Sequence, residues 1–170
     1  ASELPAKIFL DRDFTEINLQ NQIKATPFPL VHLATHGQFS SNPEETFILS
    51  WENKIQVKEF EDLLRAREQG RTNPIELLVL SACQTAAGDK RAALGLAGVA
   101  VRSGARSTLA TLWSVKDQST AELMTEFYQQ LSKGSGKAEA LRTAQLTLLK
   151  QPKYAHPFYW APFILVGNWQ

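Results

Sequence analysis

The sequence predicts an α/β fold, a three-layer sandwich in which a mostly parallel sheet lies between two layers of helices. Apolar runs of strand length alternate along the chain with amphipathic helical patterns, an order typical of parallel sheets covered by helices. The clearest run, "IELLVLS" at residues 75–81, is apolar at nearly every position, as expected of a strand buried on both faces. The length of 170 residues and the 44% hydrophobic content fit one domain, and the opening at Ala1 leads us to expect a domain excised from a longer polypeptide.

The first part of the chain predicts two strands separated by a helix. Residues 7–10, "KIFL", are expected to form a strand, and "FTEINLQNQIKA" predicts a helix with Thr15 as its N-cap. The second strand, residues 30–35, is nearly all apolar and is bounded by Pro29 and Gly37. We therefore expect it to be covered on both faces as well.

A hairpin and a short helix are predicted between the two buried strands. Residues 47–51 and 54–57 flank a polar turn, and the helix that follows carries Phe60 among its apolar residues. A crossover of this kind indicates that strands 30–35 and 75–81 are parallel neighbours.

The second half continues the alternation of helices and strands. "AALGLAGVAVRSGA" predicts a helix whose Gly95 and Gly98 permit close packing on the sheet, since the chain has no glycine-rich phosphate turn and no Walker-type lysine. The remaining elements are a strand at 106–115, a periodic helix from residue 118, a helix at 137–149 and a last strand at 163–167.

The charge balance and the cysteine content exclude several classes of function. Lys and Arg number 18 against 17 Asp and Glu, so the net charge of +1 gives no broad field that would attract nucleic acid or an anionic membrane. No apolar run reaches the length of a membrane span. A single cysteine cannot form an internal disulfide and is typical of a reducing compartment, so we expect a cytoplasmic protein.

Two reactive side chains follow the two neighbouring strands. His36 comes one position after strand 30–35, and Cys83 comes two positions after strand 75–81. Because catalytic groups collect at the carboxyl ends of parallel strands, we expect His36 and Cys83 to meet as a dyad. A cysteine nucleophile also needs donors for an oxyanion, and the N–H groups of Gly37 and Cys83 would supply them.

Each candidate also has a structural interpretation. A lone cysteine at a strand end is usually a small buried core residue, and His36 would otherwise be a cap or loop histidine. Asp117, after strand 106–115, is either the N-cap of the next helix or a pocket carboxylate that selects a basic side chain. His32 is expected to be a hydrogen-bonded core histidine, since in a strand it lies about 13 Å from His36, too far to share zinc. No spacing indicates a metal or an organic cofactor.

Five segments resemble one known family. They are "HLATHG" around His36, "LSACQTA" around Cys83, "LATLWSVKD", "FYQQL" and "PFYWAPFILVG". Together they resemble the CHAT domain, a caspase-like cysteine peptidase module often found after tetratricopeptide repeats in bacteria. The 47 positions from His36 to Cys83 and the residues beside the cysteine also match the general caspase signature. Ser81 and Thr85 depart from the caspase flanks, which argues against caspase-type specificity for aspartate.

The resemblance implies a caspase-hemoglobinase fold with His36 and Cys83 as the dyad and the N–H groups of Gly37 and Cys83 as the oxyanion hole. In the separases, members of the same clan, a W-x-V-x-D segment bears the acid that holds a P1 arginine. Similarity to that segment implies a substrate site lined by Trp113, Ser114 and Asp117, with the aspartate in the S1 pocket.

The sequence therefore predicts a cysteine endopeptidase that cleaves protein or peptide substrates, with a basic P1 residue implied by the separase likeness. The likeness also implies a fused repeat or sensor domain in the full-length protein. One alternative is a latent or non-catalytic caspase-like interaction module, gated by such a domain or by a partner. Another is a small-molecule amidase or thioesterase that uses the same dyad.

Overall fold

A computed structural model of the chain describes residues 5–25, 27–40, 42–69, 74–81, 84–85 and 104–170. The helices are α1 (Glu16–Ala25), α2 (Val57–Gln69), α3 (Asp117–Ser132) and α4 (Lys137–Leu149). The strands are β1 (Leu30–Leu33), β2 (Gly37–Phe39), β3 (Phe47–Leu49), β4 (Lys54–Gln56), β5 (Leu77–Leu80), β6 (Gln84–Thr85), β7 (Ser107–Thr111) and β8 (Phe163–Gly167).

The main sheet has the strand order β1-β5-β7-β8. The first three strands are parallel and β8 is antiparallel to β7. Leu78 and Leu80 of β5 pack in the core with α1 and α2, whereas Leu77 and Val79 pack in the core with α3 and α4. Because β5 lies between two helical layers, every one of its residues is buried. The predicted α/β fold, a mostly parallel sheet between two layers of helices, is confirmed.

A second, smaller sheet was not predicted. Its strand order is β4-β3-β2-β6, and it joins the expected hairpin of β3 and β4 to two strands of three and two residues. Gln38 pairs in parallel with Gln84, and Gln38 pairs in antiparallel fashion with Phe47. Strands this short contain too few residues for a period of two to be seen. This sheet begins directly after His36, so it determines the course of the chain beside the candidate site.

The helices begin and end close to the predicted positions. Thr15 is confirmed as the cap of α1, because its Oγ1 accepts a hydrogen bond of 3.1 Å from the Asn18 N–H. The helix predicted at 137–149 is confirmed at both ends. None of the described helices is both long enough and apolar enough to cross a membrane.

Most predicted strands are longer than the observed ones, and three of the predictions differ from the structure most. Residues 7–10 do not form a strand, and Ile8 and Leu10 are exposed rather than packed on a neighbour. The strand expected at 30–35 ends at Leu33 and lies at the edge of the sheet, so it is not covered like β5. The strand expected at 106–115 ends at Thr111, where the pairing with β8 ends.

The helix predicted over "AALGLAGVAVRSGA", with Gly95 and Gly98, lies almost wholly outside the described residues. Only the end of that segment is described, and there Ala105 forms a parallel bridge with Ile75. This bridge extends the pairing of β5 and β7 toward the edge at which the two strands begin.

Candidate active site

The candidate residues follow three neighbouring parallel strands at the edge where those strands end, which we call the carboxyl edge. His36 comes after β1, Ser81 directly after β5, and Asp117 after β7. Cys83, the predicted nucleophile, lies outside the described residues. The prediction that the strands before His36 and Cys83 are parallel neighbours is confirmed, since Val31 of β1 pairs with Leu78 of β5.

The backbone of His36 is held by β3. The His36 carbonyl accepts a hydrogen bond of 2.7 Å from the Leu49 N–H, and the Thr35 hydroxyl donates to the Leu49 carbonyl at 2.7 Å. The His36 side chain itself is exposed, and its ring has no hydrogen-bond partner among the described residues. A fixed backbone with an exposed imidazole is compatible with proton transfer to a bound molecule.

Gly37 is buried at the start of β2 and faces Ile48 of β3. The hydrogen bond between His36 and Leu49 shows that these opposite residues form a hydrogen-bonded pair of the antiparallel ladder. Because the two kinds of pair alternate along such a ladder, the next pair, Gly37 and Ile48, is a non-hydrogen-bonded one. The Gly37 N–H therefore points away from β3, to the side on which β6 lies.

The segment between β7 and α3 is anchored to the chain before β8. The Leu112 N–H donates to the Pro162 carbonyl at 3.0 Å, and the Trp113 indole N–H donates to the Phe158 carbonyl at 3.2 Å. Val115 packs against the core under α3, whereas Ser114 is exposed. From Trp113 to Val115, residues that contact the rest of the protein thus alternate with one that is exposed to solvent.

Asp117 is the first residue of α3, and the cap position belongs to Lys116. The alternative that Asp117 is an N-cap is therefore wrong. Its carboxylate is exposed and forms no ion pair with any residue that the structure describes. A negative charge in the first turn is favourable for the helix, and it also leaves the carboxylate free to meet a cation from outside.

His32 lies in a polar cluster on the α3 side of the sheet. Its Nε2 is 2.8 Å from the Ser81 hydroxyl and its Nδ1 is 2.9 Å from the Tyr128 hydroxyl. Burial lowers the pKa of His32 to about 4 and raises the pKa of Tyr128. The prediction that His32 is hydrogen-bonded within the protein is confirmed, but its side chain is half-buried on an edge strand rather than part of the buried core.

Sequence reasoning did not find the two partners of His32. Ser81 is polar at the end of an apolar run, and Tyr128 directly follows Phe127 on the buried face of α3. These are weak signals, because a serine at a strand end and a tyrosine in a helix are both common.

Among the described ranges, no three His, Cys, Asp or Glu side chains come together in a way that could hold a metal ion. The site's described polar groups are an imidazole, a carboxylate, hydroxyls and backbone N–H groups.

A comparison with known families matches residues 1–168 to the CHAT domain. The chain belongs to the CHAT domain family. This family is a caspase-like, peptidase-related module, and the three-layer arrangement of this CHAT domain, with candidate residues at the carboxyl edge, is consistent with it.

The CHAT domain is also similar to human tetratricopeptide repeat protein 28. The two are 28% identical over 97 residues, which cover 56% of this chain. The match spans only 4% of that human protein's length.

Proposed function

We propose that this CHAT domain is a cysteine endopeptidase with Cys83 as its nucleophile and His36 as its proton carrier. The parallel pairing of Gln38 with Gln84 carries the proposal. In sequence, Gly37 and Cys83 are the residues directly before that pair, and His36 comes directly before Gly37. Neighbouring parallel strands run in register, so this pairing supports a cysteine beside the His-Gly segment.

The reaction needs only groups of this chain and one water molecule. His36 takes the thiol proton, the Cys83 sulfur bonds to the carbonyl carbon of a peptide, and the C–N bond breaks as His36 returns the proton to the leaving amine. Water then attacks the thioester while His36 accepts a proton from it. The C–S bond breaks, the peptide acid leaves, and the thiol is restored.

The negative oxygen of the tetrahedral intermediate requires donors that are already oriented. The Gly37 N–H points away from β3 and toward the β6 side, so it is free of the β2–β3 ladder. We assign it to the oxyanion hole together with the N–H of Cys83. Donors of this kind contribute about 10²–10³-fold to the rate in other enzymes of acyl transfer.

Asp117 is the residue we propose for selecting a basic P1 side chain. Its carboxylate is exposed at the carboxyl edge and has no described cationic partner. The anchored Trp113 and the exposed Ser114 precede it and would border the bound peptide. A charge-assisted pair with arginine or lysine is the interaction that such a carboxylate offers.

The setting of the reaction belongs to the same proposal. A reducing compartment keeps a free thiol from being oxidised to a disulfide, so we propose the bacterial cytoplasm that the family likeness implies. The similarity to a tetratricopeptide repeat protein supports a fused repeat domain that delivers the protein substrate or the activating signal.

The test is labelling of the single cysteine by arginyl and lysyl chloromethyl ketones. We expect one adduct, located at Cys83 by mass spectrometry, and its loss in Cys83→Ala. Asp117→Asn should slow labelling by the arginyl reagent by about tenfold or more, because it removes the charge that holds P1. Asp62→Asn is the matched control, since Asp62 is also exposed but lies on α2.

An intact, folded protein that forms no adduct with any P1 type would contradict the peptidase and favour the non-catalytic interaction module. Turnover of simple esters or amides without cleavage of any peptide would favour the small-molecule hydrolase instead. Substrate profiling with the wild type against Cys83→Ala then identifies the protein that is cut.

A further inference from the structure

A hydrogen-bonded polar cluster joins three elements on the α3 side of the sheet, and the proposed reaction uses none of its side chains. His32 of β1 bonds to Ser81, which follows β5, and to Tyr128 of α3. The Ser81 N–H also donates to the Leu33 carbonyl at 3.1 Å, so both the backbone and the side chain of Ser81 are held by β1.

The direction of the hydrogen bonds follows from the number of donors. A neutral imidazole donates from one nitrogen and accepts at the other. If Tyr128 donates to Nδ1, the N–H on Nε2 donates to Ser81, and both buried donors are satisfied. The other tautomer would leave the Tyr128 proton without a described acceptor. In the first arrangement the Ser81 hydroxyl keeps its own proton, free for a further bond.

A histidine beside a serine resembles a serine nucleophile with its activating base, but the proton assigned to Nε2 and the chemistry below do not fit that role. A general base must have a pKa near the working pH, whereas burial lowers the pKa of His32 to about 4. Its second partner is a tyrosine whose pKa is raised by burial, so it is neutral and does not stabilise an imidazolium as a carboxylate does. The cluster is suited to holding groups in place.

We propose that His32 is a positioning residue for Cys83: its hydrogen bonds to Ser81 and Tyr128 fix the chain directly after β5, from which the sequence continues to Cys83. Cys83 is two residues beyond Ser81, so a shift of Ser81 is transmitted along two peptide units. Tyr128 belongs to the helix that begins at Asp117, and the cluster therefore also joins the proposed P1 selector to the nucleophile's strand. The inference rests on the proposed peptidase for its catalytic consequence.

The experiment measures the rate at which iodoacetamide alkylates the chain as a function of pH. Cys83 is the only cysteine, so the rate reports one sulfur. The midpoint of the profile gives the thiol pKa, and the limiting rate above it reports access to the thiolate. The variants are Ser81→Ala and Tyr128→Phe, each of which removes one hydroxyl and keeps the shape of the side chain.

Two matched variants control for the loss of a hydroxyl. Tyr154→Phe removes a hydroxyl that donates to Glu122 on the same helix α3 at 3.0 Å, outside the His32 cluster. Ser107→Ala removes a buried hydroxyl that donates to the Glu76 carbonyl, where β7 begins. His36→Ala gives the profile expected of a cysteine without its dyad partner.

We expect Ser81→Ala and Tyr128→Phe to raise the thiol midpoint by about one pH unit, toward that of His36→Ala, and to change the limiting rate by about threefold. The two control variants should match the wild type in both quantities. Since both bonds act through His32, the double variant should differ little from the stronger single variant.

The proposal is overturned if neither quantity changes in variants whose circular dichroism matches the wild type, or if the controls change equally. A wild-type midpoint equal to that of His36→Ala would contradict the dyad, and hence the proposed function, by itself. Even without a dyad, the limiting alkylation rate still tests the positioning role of His32, because that rate depends on access to the Cys83 sulfur and not on His36.

Discussion

His32 and His36 lie four residues apart and have opposite surroundings. The His32 ring bonds at both nitrogens, and burial lowers its pKa to about 4. The His36 ring is exposed and bonds to none of the described residues, whereas its backbone is held at 2.7 Å by Leu49 of β3.

The difference shows that one short segment holds one imidazole bonded at both nitrogens and another that is exposed. His32 lies in β1 of the main sheet, and its side chain lies on the α3 side, where it bonds to Tyr128. After Thr35 the chain enters the small sheet, and His36 lies in the connection between β1 of the main sheet and β2 of the small one. A satisfied imidazole stabilises structure, while an unsatisfied and exposed one is free to exchange protons.

The largest effect should come from His36→Ala. We expect peptide hydrolysis to fall by about 10²–10⁴-fold in kcat/KM, the usual contribution of a positioned general base. The free energy of unfolding should change by less than about 0.5 kcal/mol, since the side chain is exposed. Steady-state kinetics and urea unfolding measure the two effects. Unchanged hydrolysis by His36→Ala would contradict the role of His36 as the general base.

His32→Leu should have the reverse pattern, with its main effect on stability. It removes two hydrogen bonds and leaves the hydroxyls of Ser81 and Tyr128 without their partner, so we expect a loss of about 2–4 kcal/mol in the free energy of unfolding. Urea denaturation measures it. A loss no greater than that of His36→Ala would mean that the hydrogen bonds of His32 add no stability beyond that of the exposed His36.

Acid should destabilise the protein through His32. The unfolded histidine has a pKa near 6.5 and the folded one about 4, so between these values the unfolded state binds the extra proton. This stability contribution is complete above pH 6.5 and is lost as the pH falls toward 4. Between pH 6.5 and 5.0 the wild type should lose about 1.6 kcal/mol more than His32→Leu. An equal loss of unfolding free energy in the two proteins would contradict the conclusion that the His32 imidazole is neutral in the folded state.

The smallest effect is expected at the anchor of the segment before Asp117. Trp113→Phe removes the hydrogen bond of 3.2 Å to the Phe158 carbonyl and should lower the free energy of unfolding by about 1 kcal/mol. Trp169→Phe is the control, because Trp169 is 64% exposed and its indole bonds to no described residue. Chemical denaturation of both variants makes the comparison, and equal stability would mean that the indole N–H does not hold the segment.

The central strand and the helices were predictable because their patterns are local. The run at 75–81 is apolar from Leu77 to Leu80, and burial from both sides is the physical reason that these residues form β5. Thr15 before an amphipathic stretch predicts the start of α1, because its hydroxyl satisfies a free backbone N–H. The expected strand at 7–10 was wrong, since apolar residues alone do not provide a neighbour with which to pair.

The sequence by itself determined the fold class and placed His36, Cys83 and Asp117 after buried strands, since periodicity and chain order carry that information. Only the tertiary structure decided that the strand before Asp117 lies beside the strand before Cys83, and that a second sheet begins at Gly37. It also decided that His32 bonds to Ser81 and Tyr128. Ser81 and Tyr128 lie 49 and 96 positions from His32, and partners so distant along the chain leave no local pattern.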